Sequence, residues 1–186
     1  MQRVARDERY AEAPPGLTIR ALQDCDVEAY VKLRREALLD SPLAFVASPA
    51  DDAFSGKERV REEIRRAPES VIIGAFRPHL VGAVGLHRDR LLKSAHKVHL
   101  WGLYVTPNHR RQGIASELLD AVLCHASDLT GVSWVHLKVS AATPGAQRLY
   151  ERAGFCVWGA EPAGACYEGQ TVADFHMALC LEPDVN

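Results

Sequence analysis

Leu103-Tyr104-Val105-Thr106-Pro107-Asn108-His109-Arg110-Arg111-Gln112-Gly113-Ile114-Ala115-Ser116 is the stretch on which the reading turns. An apolar, β-type run ends at Val105, and Thr106-Pro107-Asn108 makes a turn. A helix then opens with Gly113 and Ala115 in its first turn. The first amides of a helix have no internal acceptor, and the helix dipole is positive there. Small residues at that point let a bulky anion reach the backbone. The stretch therefore predicts a cradle for a phosphate or pyrophosphate. No Gly-Lys-Ser/Thr follows, so it is not a P-loop, and the absence of G-x-G-x-x-G excludes a dinucleotide fingerprint.

Working outward, Ile114, Leu118, Leu119, Val122, Leu123 and Ala126 fall on one face, which predicts a helix over 114–129. Strands are predicted before it, at 97–105, and after it, at 133–140. A crossover helix between them makes these two strands parallel. Upstream, 71–76 and 80–86 are short β-branched runs around Arg77-Pro78-His79, a hairpin. Before them Ser55-x-x-Glu58 has the form of a capping box, opening a helix that Pro68 ends. A first strand is expected at 17–21 and a first helix from Val27 to about Leu39, capped by Asp24 and Asp26. Downstream, Thr143-Pro144 opens a short helix ending at Gly154, and 155–158 and 172–181 are closing strands. The order β-α-α-β-β-β-α-β-α-β-β implies a mixed sheet with helices on both faces.

Composition bounds the function. With 186 residues the chain is read as one domain, 17–186, behind a polar, flexible leader, 1–16, that closes on Pro14-Pro15-Gly16. Apolar residues at 47% and charged residues at 25% exclude a disordered chain, a collagen and a coiled coil. Basic and acidic residues number 22 and 24, so no footprint for nucleic acid is present. No apolar run is long enough to span a bilayer, and the charged segment Met1 to Glu12 has no signal-peptide core. Five cysteines without a C-x-x-C pair point to reduced thiols and a cytoplasmic setting.

Arg110-x-x-Gly113-x-Ala115 resembles the Q/R-x-x-G-x-G/A signature of the GNAT superfamily of N-acetyltransferases. Leu149-Tyr150-Glu151-Arg152-Ala153-Gly154-Phe155 resembles the family's L-Y-E-x-x-G-F segment, in register about 35 residues later. Leu33 to Leu38 with Pro42 and Phe45 is similar to the first helix of many bacterial members, and Phe175 to Leu179 to a typical last strand. The likeness covers roughly residues 17–181. It implies an α/β fold: a mixed, mostly antiparallel central sheet of about six to seven strands, flanked by helices on both faces.

The resemblance also implies acetyl-CoA as co-substrate, with no metal. In the family the loop amides hold the pyrophosphate, which maps to Arg111, Gln112, Gly113, Ile114, Ala115 and Ser116 beside Arg110. The main chain of Leu103, Tyr104 and Val105 would pair with the pantetheine arm, and the strands 97–105 and 133–140 would splay to admit the thioester. Many members contact the arm with an Asn where this chain has Thr143. The acceptor would be a small-molecule or protein amine, and a homodimer is compatible with the family.

Attack by an amine on a thioester needs a neutral amine and a protonated leaving thiolate. Tyr150 stands at the family's general-acid position, and a phenol is protonated at neutral pH. His99 stands where some members relay the amine proton, a task suited to imidazole. Simple alternation puts His99, Trp101, Leu103 and Val105 on one strand face. His96 and His99 face opposite ways, which argues against a shared metal. The competing expectations are a non-catalytic acyl-CoA-binding or sensing module on the same fold, and an unrelated phosphate-ligand binder.

Overall fold

A computed structural model describes residues 16–181. The expected leader, 1–16, lies outside them but for Gly16. The elements are β1 (Thr18–Ala21), α1 (Val27–Asp40), α2 (Lys57–Ile64), β2 (Ser70–Arg77), β3 (His79–Arg88), β4 (Lys97–Val105), α3 (Ile114–Asp128), β5 (Trp134–Ser140), α4 (Pro144–Arg152), β6 (Cys156–Tyr167) and β7 (Gln170–Cys180). Their order is the one predicted. The seven strands form one sheet in the order β1-β2-β3-β4-β5-β7-β6. The β4–β5 pair is parallel, as the crossover through α3 requires, and the other neighbours are antiparallel.

Apolar side chains divide between the two faces. Ile114, Leu118 and Val122 of α3 join Val84, Leu86, Val98, Leu100, Val135 and Leu137 in one buried cluster, which also takes Leu149 and Tyr150 of α4. Val27, Tyr30 and Leu33 of α1 with Val60 of α2 form a second cluster on Ile72, Ala83 and Tyr104. Each helix thus buries one stripe, at about 25 cal/mol per Å² of apolar surface removed from water.

Two irregularities of β4 shape the site. Ala83 faces Tyr104 but Gly85 faces Trp101, so β4 carries one residue more than β3 across this span. Gly102, at φ +67°, takes up the extra residue as a bulge. Beyond it the alternation inverts. Leu103 and Val105 join Val98 and Leu100 on the α3 face, while Tyr104 joins Trp101 on the α1 face. The expectation that Leu103 and Val105 share a face with His99 and Trp101 is thereby corrected. Second, β4–β5 pairing runs from Lys97↔Trp134 to Leu100↔Leu137 and stops. Past that point β4 stays with β3 and β5 stays with β7, so the two strands part.

Two further expectations change. Ser55 ends a short 3-10 turn, α2 starts at Lys57 with Gly56 as N-cap, and no side chain caps it. Glu58 points instead to Arg65, at 2.8 Å, so the capping box is not formed. The strand expected at 155–158 extends to Tyr167. It returns through Glu168 and Gly169, both at positive φ, which suit a two-residue hairpin turn. Pro162 sits where its register with β7 breaks, as an edge strand permits.

Candidate active site

Gly113 caps α3 at φ +80°, a conformation that only glycine adopts freely. A Cβ on Gly113 would meet nothing within 4 Å, so the space above it is open. The amides of Arg111, Gln112, Gly113, Ile114 and Ala115 have no acceptor among the described residues. Those of Ser116 and Glu117 turn back to the Gly113 carbonyl, at 2.9 and 3.1 Å. Free N–H groups under open space at a helix start fit a pyrophosphate. Two side chains of the motif serve the loop itself. Arg110 Nε donates to the Val105 carbonyl at 2.9 Å, and its guanidinium pairs with Asp40 at the end of α1. Gln112 bonds Arg77 and the Asn108 carbonyl. Arg111 is exposed, with φ +58°.

Between this loop and the parting strands, the main chain of Leu103 to Val105 has no β5 partner. The Tyr104 side chain turns away to α1 and donates to Glu36 Oε1 at 3.1 Å. Burial, with Glu36 and Asp40 nearby, raises its phenol well above the ordinary value. On the opposite bank Thr143 caps the start of α4. Its hydroxyl donates to the Ser140 carbonyl at 2.8 Å, and the amide does so at 2.9 Å. That hydroxyl proton is committed to the turn, and only the oxygen lone pairs can meet a ligand.

Tyr150 lies on α4, 5% exposed, its ring centroid 5.7 Å from that of Phe155 and inclined to it by 64°. Its hydroxyl has no hydrogen-bond partner among the described residues. Burial pushes the phenol well above its ordinary value, so it stays protonated and can donate. His99 is in the segment of β4 that pairs with β5. Its Nε2 is 3.2 Å from Asp89 Oδ1, and its ring stacks on His87 at 5.3 Å and lies 5.8 Å from His136. Burial, then the neighbouring His99, lowers both of those imidazoles, which favours their neutral forms.

A cavity of about 440 Å³ opens where the strands part. Leu100, Trp101 and Gly102 line it from β4, Lys138 and Ser140 from β5, and Asp174 from β7. Arg34 of α1 and the loop from Leu43 to Phe54 close the other side. Asp174 is 3% exposed and 3.0 Å from Lys138 Nζ. The Lys138 ammonium loses hydration but gains Asp174 and Glu161, and its pKa is raised. A Cβ on Gly164 would lie 2.4 Å from the Asp174 carboxylate, so only glycine leaves that carboxylate its place. Arg34 pairs with Asp52 at 3.0 Å. Three aspartates, Asp51, Asp52 and Asp174, against Arg34 and Lys138 give the lining an acidic excess, which suits a cationic amine.

Of the residues singled out from sequence, the loop, Leu103 to Val105 and Thr143 flank the parting strands, whereas His99 lines neither this cavity nor a larger neighbouring one. Sequence reasoning missed Asp174, Lys138 and Asp52. The available signal was a charge set inside apolar strands, Lys138 in Trp134 to Val139 and Asp174 in Val172 to Leu179. Among the described residues no group of three or more His, Cys, Asp or Glu side chains could hold a metal ion. No helix there is long and apolar enough to cross a membrane.

Residues 32–155 match the acetyltransferase (GNAT) family. No curated protein matches the chain in sequence. Solved structures resemble it throughout. The yncA protein of Salmonella typhimurium, solved with its cofactor acetyl-CoA, superposes with a TM-score of 0.78 at 19% identity, over 91% of this chain and 96% of that one. Ribosomal-protein-alanine N-acetyltransferase from Brucella melitensis gives 0.77 at 20% identity, over 88% and 99%. Spermidine N-acetyltransferase from Vibrio cholerae, in complex with CoA and spermine, gives 0.72 at 20% identity, over 90% and 96%. At these identities the likeness is one of fold.

Proposed function

This chain belongs to the GNAT family of acetyltransferases, with acetyl-CoA as co-substrate, and from that premise we propose that it acetylates a primary amine by direct attack on the thioester. The observation that carries the reading is the end of β4–β5 pairing at Leu100↔Leu137, beside a loop of free amides and over a cavity with an acidic lining.

Acetyl-CoA supplies an activated acyl group. The amides of Arg111 to Ala115 would hold its pyrophosphate, and the unpaired edge of Leu103 to Val105 would align the arm in the gap. Asp174 and the acidic wall receive the amine as its ammonium. After the ammonium gives one proton to the water-borne relay at His99, the neutral nitrogen bonds to the carbonyl carbon and the carbon–sulfur bond breaks. Tyr150 gives its hydroxyl proton to the departing sulfur, and the second proton of the former amine, released as the amide forms, passes through water to restore the Tyr150 hydroxyl. His99, with Nε2 turned to Asp89, keeps Nδ1 to accept the amine proton, and its place outside the cavity makes that relay water-borne.

The test is thiol release from acetyl-CoA against a panel of primary amines, beside calorimetry of acetyl-CoA binding. Binding with amine-dependent thiol release is the expected result. Binding without release for any amine would leave a non-catalytic acyl-CoA module, and no binding at all would remove the cofactor assignment.

A further inference from the structure

The cavity at the parting strands has a larger neighbour of about 540 Å³, and Phe54 and Trp101 line both. Their rings stack at 4.6 Å, inclined by 20°. Trp101 lies flat on Gly85, where a Cβ would come within 2.2 Å of the indole. The two cavities therefore share one aromatic wall, built on a glycine that no other residue could replace.

The larger cavity has the opposite charge character. Arg59, Arg66, Arg88 and Arg90 line it, against Glu63 and Asp89. Glu63 is 2% exposed and gives one carboxylate oxygen to Arg59 at 3.0 Å and the other to Arg66 at 2.9 Å. One buried carboxylate thus fixes two guanidinium groups and leaves a surplus positive charge. Arg59 also touches Glu62, an exposed contact of small worth. Arg88 is satisfied by Glu69 and the carbonyls of Ala95 and Thr130. Arg90 has no partner among the described residues.

One donor of the shared wall is left unsatisfied by the protein itself. Trp101 Nε1 is buried and has no hydrogen-bond partner among the described residues.

Resting on the transfer reading above, we propose that the two cavities form one acceptor site and that the acceptor is a small primary amine carrying an acid group at its far end. The ammonium sits at the Asp174 end, and the acid group among Arg59, Arg66 and Arg90, whose forked N–H groups match carboxylate or phosphate oxygens. Acidic lining at one end and basic lining at the other select against plain alkylamines and polyamines.

The experiment compares ω-amino acids, from glycine to aminohexanoate, and aminoalkyl phosphates with alkylamines of matched length. Calorimetry is done on the CoA-loaded protein, where no transfer occurs, and thiol release is measured with acetyl-CoA. At one chain length the acid-bearing amine binds at least tenfold tighter than its alkylamine, and Arg90→Glu, at an exposed position, reduces that ratio at least tenfold. Carboxylate and phosphate series tell which acid the arginines prefer. Equal affinity of the matched pair, or no measurable binding of either, overturns the proposal. Tighter binding of the acid-bearing amine without thiol release upholds this ligand class and overturns the transfer reading instead.

Discussion

The Asp174 carboxylate and the Lys138 ammonium meet at 3.0 Å across two adjacent strands, β7 and β5, at the floor of the cavity that opens between β4 and β5. Lys138 also reaches Glu161 at 3.5 Å, and Glu161 lies 3.4 Å from His176 Nε2. Two carboxylates share one lysine, which leaves negative charge for an incoming ammonium. Asp174→Asn keeps the shape and removes that charge. We expect at least a tenfold rise in KM for the amine, about 1.4 kcal/mol, with acetyl-CoA affinity within about twofold of wild type. A parallel loss of acetyl-CoA affinity would mean that the variant has disturbed the sheet rather than the amine subsite.

Gly113 supplies both the turn and the open approach to the loop amides. Gly113→Val forces a β-branched residue to φ +80° and fills the space above the backbone. Acetyl-CoA affinity should fall at least tenfold, about 1.4 kcal/mol, by calorimetry on folded protein. Unchanged affinity would remove the cradle from this loop.

Tyr150→Phe removes one hydroxyl from a buried ring already packed on Phe155. The hydroxyl has no internal partner to lose, so stability should hold within about 1 kcal/mol. Turnover should drop roughly 10²–10⁴-fold in single-turnover measurements, where product release cannot hide chemistry. A wild-type rate there would assign the thiolate's proton to water.

His99→Ala tests the relay. It should lower kcat and alter the acidic limb of the pH profile of kcat/KM, with acetyl-CoA binding near normal. An unaltered limb would leave His99 as one of three packed imidazoles, with His87 and His136.

The pair between Arg110 and Asp40 ties the loop to α1 and makes its contribution depend on pH. The Arg110 guanidinium holds the Asp40 carboxyl below its ordinary value. A carboxyl depressed in the folded state stabilises it above the unfolded pKa, near 4, and that gain is lost as pH falls through the folded pKa. Asp40→Asn should therefore have a lower Tm than wild type at neutral pH, and the gap should close below about pH 4. A gap that stays constant through that range would mean that the pair adds nothing by charge.

Local pattern carries far along this chain. Ile114 to Ala126 repeat at helical spacing, the β-branched runs around Arg77-Pro78-His79 read as a hairpin, and a crossover helix forces β4 and β5 parallel. The helix start at Gly113 was legible for the same reason: a turn followed by small residues opens a helix, which neighbours in sequence decide. Gly102 shows where this stops. A bulge is one residue without a partner, which appears only once β3 is laid against β4, and it inverts every side chain from Leu103 onward. The extent of β6 likewise depends on its pairing with β7, since Pro162 and Gly164 read as a loop until a partner strand holds them. Asp174, Lys138 and Asp52 stand far apart in sequence and meet at one cavity through strand register and the fold of the loop after α1. Periodicity follows from the geometry of one element, whereas cross-strand neighbours follow from contacts between elements distant along the chain; the first was written in the sequence, and the second was decided by the tertiary structure alone.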